Sequence, residues 1–271
     1  KYAERIVVGG LDGDNQLGQT PNSKNKSGTQ IVHPHQNLSL DPSSLLSYSP
    51  YYRHLVAVTL SGSMWGVGFN GDGRIVSSLP KSVISQFSEF SMNDSSGRPL
   101  APISVACTQE GTLYMFTKSG SSGRQLVFCD DKINEGTPVF LDIGSHEPVS
   151  LFCGIFHAAA ICADGEIIFI NRDSVKNSPS SPIAAFSLPG SEKVTMVACL
   201  YNSILALSSS GRVFASDFES GSCVLKFSAV SELSGKEIVW LSGTLDHCLA
   251  VSSEGRVFGR GSNGYGELGV G

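Results

Sequence analysis

The sequence predicts an all-β protein built from repeated β-hairpins, and three observations support this fold class. Glycine accounts for 30 of the 271 residues, and charged residues make up only 16%. This composition favours short strands and tight turns over a helical bundle or a disordered chain. Similar segments also recur about every fifty residues. Each consists of an apolar run, a turn glycine and a second apolar or aromatic run.

The repeated segments predict the hairpins one by one, because two apolar runs around a glycine are typical of a β-turn with positive φ. Five segments fit: 54–65, 103–114, 157–168, 203–214 and 247–258. Their turn glycines, spaced by 49, 54, 46 and 44 residues, are Gly62, Gly111, Gly165, Gly211 and Gly255. An alanine stands five residues before each glycine: Ala57, Ala106, Ala160, Ala206 and Ala250. This small side chain predicts that the strands crowd together in the inner region of a radial array.

A glycine-rich segment follows the last hairpin and reads Gly259-Arg-Gly261-Ser-Asn263-Gly264-Tyr-Gly266-Glu-Leu268-Gly269, with weaker copies at 66–75 and 10–18. Together with the hairpins, these segments resemble the repeat of the regulator of chromosome condensation family. The resemblance covers nearly the whole chain and implies a β-propeller, with about five repeats here as part of a seven-bladed ring. The middle repeats depart from the family pattern, whose Trp-Gly pair is replaced at 116–117, 170–171 and 216–217.

The domain organisation follows from the phase of the repeat at each end. Residues 5–10 match the second strand of the last hairpin, at 256–261, but no first strand precedes them. We therefore expect one propeller domain over residues 1–271 that continues beyond residue 271, where a later strand would pair with the opening one. Residues 42–48 predict an outer strand before the first hairpin. Segments rich in serine and proline, at 20–50, 118–123 and 175–182, predict connections between hairpins.

The residues that could bind a metal or a cofactor are predicted to have structural roles. His54, His157 and His247 share one repeat position, eight residues before the turn glycine, which predicts imidazoles hydrogen-bonded to backbone carbonyls rather than a metal site. His33 and His35 have no cysteine or carboxylate at ligand spacing. The Gly-x-Gly-x-x-Gly pattern at 259–264 lacks the following helix that a dinucleotide site needs. The sequence therefore predicts no catalytic, cofactor-binding or metal-binding residues and no cofactor, and it assigns Trp65 to core packing.

These features predict a non-enzymatic protein–protein interaction scaffold, with contact regions at Thr20–Pro50 and Phe87–Pro102. The family resemblance implies an alternative, a guanine-nucleotide exchange factor for a small GTPase. A regulatory propeller attached to further domains of the same polypeptide is a third reading. The net charge of −5 disfavours nucleic acid as a partner, and no apolar stretch is long enough for a membrane span. Seven cysteines without a C-x-x-C pair predict reduced thiols and a cytoplasmic protein, with the nucleus as the second compartment.

Overall fold

The computed structural model describes residues 44–269, apart from 52, 72, 81, 119, 121, 131, 134–136, 178–181 and 220–223. The chain divides into two compact units, residues 1–140 and residues 141–271. Each unit is built from antiparallel sheets in which consecutive strands pair in chain order. No helix in the described part of the chain is long and apolar enough to cross a membrane.

The first unit contains two four-stranded sheets. Their strands are β1 (Leu45–Tyr51), β2 (His54–Thr59), β3 (Met64–Phe69) and β4 (Val83–Phe90), then β5 (Ala101–Cys107), β6 (Thr112–Thr117), β7 (Arg124–Cys129) and β8 (Val139–Phe140). The two sheets contact each other through β1 and β5. Residues 42–48 were expected to begin an outer strand. A strand does precede the first hairpin: β1 begins at Leu45 and lies at the edge of its sheet, paired with β2. Its outer position stays a prediction.

The second unit contains three sheets. Their strands are β9 (Pro148–Cys153), β10 (His157–Cys162), β11 (Ile167–Asn171) and β12 (Ala185–Phe186), then β13 (Val194–Cys199), β14 (Ser203–Ser208), β15 (Val213–Asp217) and β16 (Ser228–Ala229), then β17 (Ile238–Thr244), β18 (His247–Ser252) and β19 (Val257–Gly261). A short helix, α1 (Arg172–Asn177), follows β11. Neighbouring sheets contact each other where β13 packs against β9 and β10, and where β17 packs against β13 and β14.

Four of the five predicted hairpins are the second and third strands of a sheet. Their turn glycines Gly62, Gly165, Gly211 and Gly255 have φ values of 84°, 91°, 79° and 78°, which confirms the predicted positive φ. The alanines of these hairpins are buried: Ala57, Ala160, Ala206 and Ala250. They lie on the second strands of their sheets, each between two paired neighbours or their turns, and their burial agrees with the predicted crowding. Their place in the inner region of a radial array stays a prediction.

The predicted second hairpin does not consist of the second and third strands of its sheet. Segment 103–114 spans β5 and β6, which are the first and second strands of their sheet, and Gly111 does not have a positive φ. The Thr108 side chain closes this loop instead, since its hydroxyl accepts hydrogen bonds from the Gly111 N–H at 3.1 Å and the Glu110 N–H at 3.2 Å. The segment 118–123, expected to connect hairpins, instead lies between β6 and β7 of one sheet, where the Lys118 N–H donates to the Gly123 carbonyl.

The corrected register places Met115 where the other four sheets have alanine. Met115 pairs with Leu126 across β6 and β7, whereas the alanines pair with larger residues: Ala57 with Trp65, Ala160 with Ile168, Ala206 with Phe214 and Ala250 with Phe258. In four sheets a small side chain thus faces a larger one, whereas the second sheet pairs two large side chains at this position. Trp65 is partly buried against Leu55, Ala57 and Val67, as its assignment to core packing predicted.

The predictions on the chain ends fall on residues outside the described part. Strand 5–10, the copy at 10–18 and most of segment 20–50 all precede residue 44, and the expected pairing partner of strand 5–10 would follow residue 271. Among the described residues, β19 pairs with β18 alone, so its sheet has three strands. The predictions of a single domain over 1–271 and of its continuation stay predictions.

Candidate interaction surface

Loops from all three sheets of the second unit bring large apolar side chains to one end of those sheets. These loops join β9 to β10, β13 to β14, and β17 to β18, and the chain also leaves β15 and β19 at this end because neighbouring strands are antiparallel. We call the surface formed by Phe156, Tyr201, Val224 and Leu245 the loop surface. The Phe156 and Tyr201 rings make an edge-to-face contact at 5.3 Å, and the Tyr201 N–H donates to the Leu245 carbonyl.

The loop surface exposes apolar area that a folded chain normally buries. Tyr201 is 48% exposed, Leu245 51% and Val224 57%. Single exposed apolar residues are common, but adjacent ones drawn from separate loops are typical of a binding surface. Tyrosine suits this role because its ring gives a large contact area and its hydroxyl stays hydrated.

A cleft of about 1130 Å³ lies between the loops that carry Tyr201, Val224 and Leu245. Its charged lining consists of Asp217, Glu219 and Asp246 with Lys226 and Arg260. Arg260 Nη2 lies 4.0 Å from Asp217 Oδ1, and both side chains are largely exposed. Water screens such a pair strongly, so both groups stay available to a partner. The cleft lining thus combines apolar side chains with groups of both charges, as protein interfaces do.

The backbone around the cleft is held by repeated hydrogen bonds. The Phe218 N–H donates to the Asn202 carbonyl at 3.0 Å, and the Ser262 N–H donates to the Asp246 carbonyl at 3.0 Å. The second bond requires Gly261, whose φ is 111° and where a Cβ atom would collide with the Asp246 carbonyl oxygen. Leu245 has a φ of 52° without being glycine, a strained backbone at an exposed position. Strain of this kind often marks a functional site.

Two of the three histidines that share one repeat position, His54 and His157, have different surroundings in the structure. His54 Nε2 lies 3.1 Å from the Thr112 hydroxyl, so the predicted carbonyl partner is wrong for this residue. His157 packs against the rings of Phe169 and Phe218, each at 5.1 Å. Burial, together with the charge of Arg74, lowers the pKa of His54 to about 3, and burial lowers the pKa of His157 to about 4. Both imidazoles are therefore neutral at physiological pH and belong to the core.

The contact regions predicted from the sequence do not include the loop surface. Residues 20–43 lie outside the described part, and 45–50 belong to strand β1. In 87–102, the end of β4 and the start of β5 flank a protruding turn around Asp94, whose carboxylate accepts the Ser96 and Arg98 N–H groups. This turn remains a second candidate contact. A signal for the loop surface was present, because Tyr201 and Leu245 both stand two residues before a second strand, where a solvent-facing loop is normally polar.

The fold matches solved structures, although no family model matches the chain. Human WBSCR16 aligns with a TM-score of 0.70 at 17% identity, over 96% of this chain and 74% of that one. Prp20p from Saccharomyces cerevisiae, whose crystal structure was described with its binding properties to Gsp1p and histones, aligns with a TM-score of 0.69 at 17% identity, over 98% and 70%. Yeast RCC1 (Prp20) bound to Kap60 aligns at 0.51 and 13%, over 98% and 80%.

These alignments show that the fold is the RCC1-type β-propeller, which confirms the fold predicted from the repeat. At this level of identity the likeness concerns the fold alone. The number of blades stays a prediction.

Proposed function

We propose that this chain is a non-enzymatic protein-binding module that docks a partner protein on the loop surface. The observation that carries the proposal is the convergence of Tyr201, Val224 and Leu245 from separate loops onto one cleft that charged side chains also line, with Phe156 packed against Tyr201 beside it. Aromatic and aliphatic anchors surrounded by polar groups supply most of the binding energy in protein interfaces. The partner that fits is a protein segment with an apolar anchor flanked by charged residues.

The proposal is tested by comparing two surface variants of the full chain as bait. Tyr201→Ser with Leu245→Ser removes the apolar part of the loop surface. Leu60→Ser, which changes an apolar residue of the first unit that is even more exposed, at 66%, serves as the matched control. Partners retained by the parent and the control but lost by the double variant are then purified and titrated calorimetrically.

We expect the double variant to weaken binding of such a partner by at least about tenfold, since anchor residues typically contribute more than 1 kcal/mol each. All three proteins should melt alike, because exposed substitutions change stability little. Equal affinity of the parent and the double variant for every purified partner would contradict the proposal.

Guanine-nucleotide exchange is the second candidate, supported by the fold shared with Prp20p, which was described with its binding to Gsp1p. The discriminating measurement is GDP release from a panel of small GTPases with and without this protein. Acceleration by orders of magnitude, lost in the loop-surface variant, would favour exchange over simple docking. A cytoplasmic location stays part of the scaffold proposal.

A further inference from the structure

A cluster of mixed metal-ligating groups lies at the other end of the third sheet, away from the loop surface. The side-chain donor atoms of His146, Cys162 and Asp164 all lie within 4.8 Å of one another. His146 Nδ1 is 3.0 Å from Asp164 Oδ2 and 3.5 Å from Glu166 Oε2. No second group of this kind occurs between residues 44 and 269 wherever the structure describes the chain.

Rigid backbone presents the cluster. Cys162, Asp164 and Glu166 belong to the tight turn between β10 and β11, which closes through Cys162 N–H to the Glu166 carbonyl and Gly165 N–H to the Cys162 carbonyl, both at 2.9 Å. His146 comes from the segment before β9, and this segment is held against the turn by Ala163 N–H donating to the Glu147 carbonyl at 2.9 Å. The donors therefore sit in a preorganised arrangement.

The equivalent turns of three other sheets show what the turn itself needs. Where the third sheet has Cys162, they have Thr59, Ser208 and Ser252. Each of these hydroxyls accepts the backbone N–H four residues later, at 3.0, 3.3 and 3.3 Å. In the third sheet the Asp164 carboxylate instead accepts the Glu166 N–H at 3.0 Å. The thiol is therefore not required to close the turn, and His146 faces it from outside the turn.

We propose that His146, Cys162 and Asp164 bind a Zn²⁺ ion, with water or the Glu166 carboxylate beside His146 as the fourth ligand. A set that combines sulfur, imidazole nitrogen and carboxylate oxygen suits zinc rather than magnesium or calcium, which take oxygen ligands. Ligand atoms around a tetrahedral zinc stand roughly 3.3–3.8 Å apart, so small side-chain movements complete the site.

Charge and access agree with this site. The carboxylates of Asp164 and Glu166 lie beside His146, so a divalent cation would meet two negative groups there. As the Zn–S bond forms, the Cys162 thiol proton leaves to solvent. The His146 side chain is 26% exposed and that of Asp164 48%, so an ion can reach the cluster from water. The bound ion would join the segment before β9 to the β10–β11 turn.

Cobalt substitution tests the site on the tag-free full chain. Co²⁺ titration should give one equivalent, visible bands of a four-coordinate ion and a near-ultraviolet thiolate-to-cobalt charge-transfer band, all abolished by added Zn²⁺. Cys162→Ser introduces the residue of two sister turns; it should remove the charge-transfer band and weaken Zn²⁺ binding by at least about tenfold. Cys153→Ser, at the opposite end of the same sheet, is the matched control and should retain both.

A parent protein without the charge-transfer band, or a Cys162→Ser variant that keeps it, would overturn the proposal. In that outcome the cluster is only an ion-pair network around His146. If Cys162→Ser does not fold, Asp164→Ser is the second variant, since serine occupies this position in two sister turns, Ser61 and Ser210. Zinc should then raise the melting temperature of the parent relative to EDTA but not that of Asp164→Ser. Equal shifts in both would likewise refute the site.

Discussion

At the residue scale, one repeat position serves different purposes in neighbouring sheets. His54 bonds to Thr112, and Thr112 occupies the same position in the next sheet. His157 instead packs between aromatic rings, and its Nε2 atom is buried without a hydrogen-bond partner. Burial keeps both imidazoles neutral in the folded chain, whereas the unfolded chain protonates them near pH 6.5. Acid therefore favours the unfolded state.

The pH dependence of stability follows from this difference in protonation. The folded-state pKa of His157, about 4, lies below its unfolded value of 6.5. Its contribution to stability is therefore fully present above about pH 6.5 and is lost as the pH falls toward 4. Between about pH 5.5 and 4.5, His157→Ser should reduce the pH slope of the unfolding free energy by about 1.4 kcal/mol per unit. Urea titrations measure this slope.

The matched control for this prediction is Phe214→Leu, which also opens space in a buried layer but removes no titratable group. It should lower the unfolding free energy at every pH and leave the slope unchanged. A His157→Ser variant with the slope of the parent would show that this imidazole titrates normally in the folded chain.

At the element scale, two glycines of the last sheet allow the cost of backbone strain and the cost of a steric collision to be measured separately. Gly255 has a φ of 78° and open space where an added Cβ atom would lie, whereas Gly261 has a φ of 111° with the Asp246 carbonyl in the way. Gly255→Ala should lower the free energy of unfolding by about 1 kcal/mol. The left-handed backbone strain of alanine is partly offset because its unfolded chain has less conformational entropy to lose. Gly261→Ala should cost at least about 3 kcal/mol because the β17–β18 loop must move. Chemical denaturation showing equal costs would contradict this account.

The buried alanines of the second strands give the second test at this scale. Ala160 is fully buried between Leu151 and Ile168 on the neighbouring strands. Ala160→Leu should overfill the layer and cost about 1–3 kcal/mol in thermal or urea unfolding, and Ala206→Leu should do the same. Ala229→Leu, on the exposed strand β16, should change stability by less than about 0.5 kcal/mol. Parent-like melts for both buried variants would refute the assignment of these alanines to the core.

The sequence predicted elements well where local chemistry dictates them and poorly where it does not. The turn at Gly211 could be predicted because only glycine adopts its positive φ without strain. Gly111 resembles it in sequence, and Thr108 closes its loop much as Ser208 closes the turn at Gly211. The local pattern therefore does not distinguish a loop between first and second strands from a turn between second and third. The correct register was readable from Pro102–Cys107 and Pro148–Cys153, both Pro-x-Ser-x-x-Cys.

The candidate sites depend on contacts between segments distant in the chain, which spacing alone does not reveal. His146 and Cys162 meet only because the Ala163 N–H binds the Glu147 carbonyl. Tyr201 and Leu245 meet because antiparallel pairing brings their loops to one end of adjacent sheets. The repeat could locate each loop, but not which side chains would remain exposed.

At the scale of the whole molecule, the net charge bears on the class of partner, and the cysteines report on folding. The net charge of −5 gives no general attraction to phosphate, so partners are expected to be recognised by local surfaces rather than by a basic face. Cysteines are spread across both units: Cys107 and Cys129 lie in the first, and Cys153, Cys162, Cys199 and Cys248 in the second. Their reactivity therefore reports on the integrity of each unit.

Thiol labelling is expected to follow burial. Burial raises the pKa of Cys129 and Cys199 well above the usual range, so little thiolate forms and reagent cannot reach it. With iodoacetamide near pH 8, both should react at least about 100-fold more slowly in the folded chain than in urea, since labelling requires opening of the core. Half-buried Cys153 should react faster than either and serves as the internal control.

Peptide mapping without reductant should show every thiol reduced, because Cys107, Cys162 and Cys248 lie on three different sheets. A disulfide between any two of these would contradict both the strand assignment and a reducing compartment.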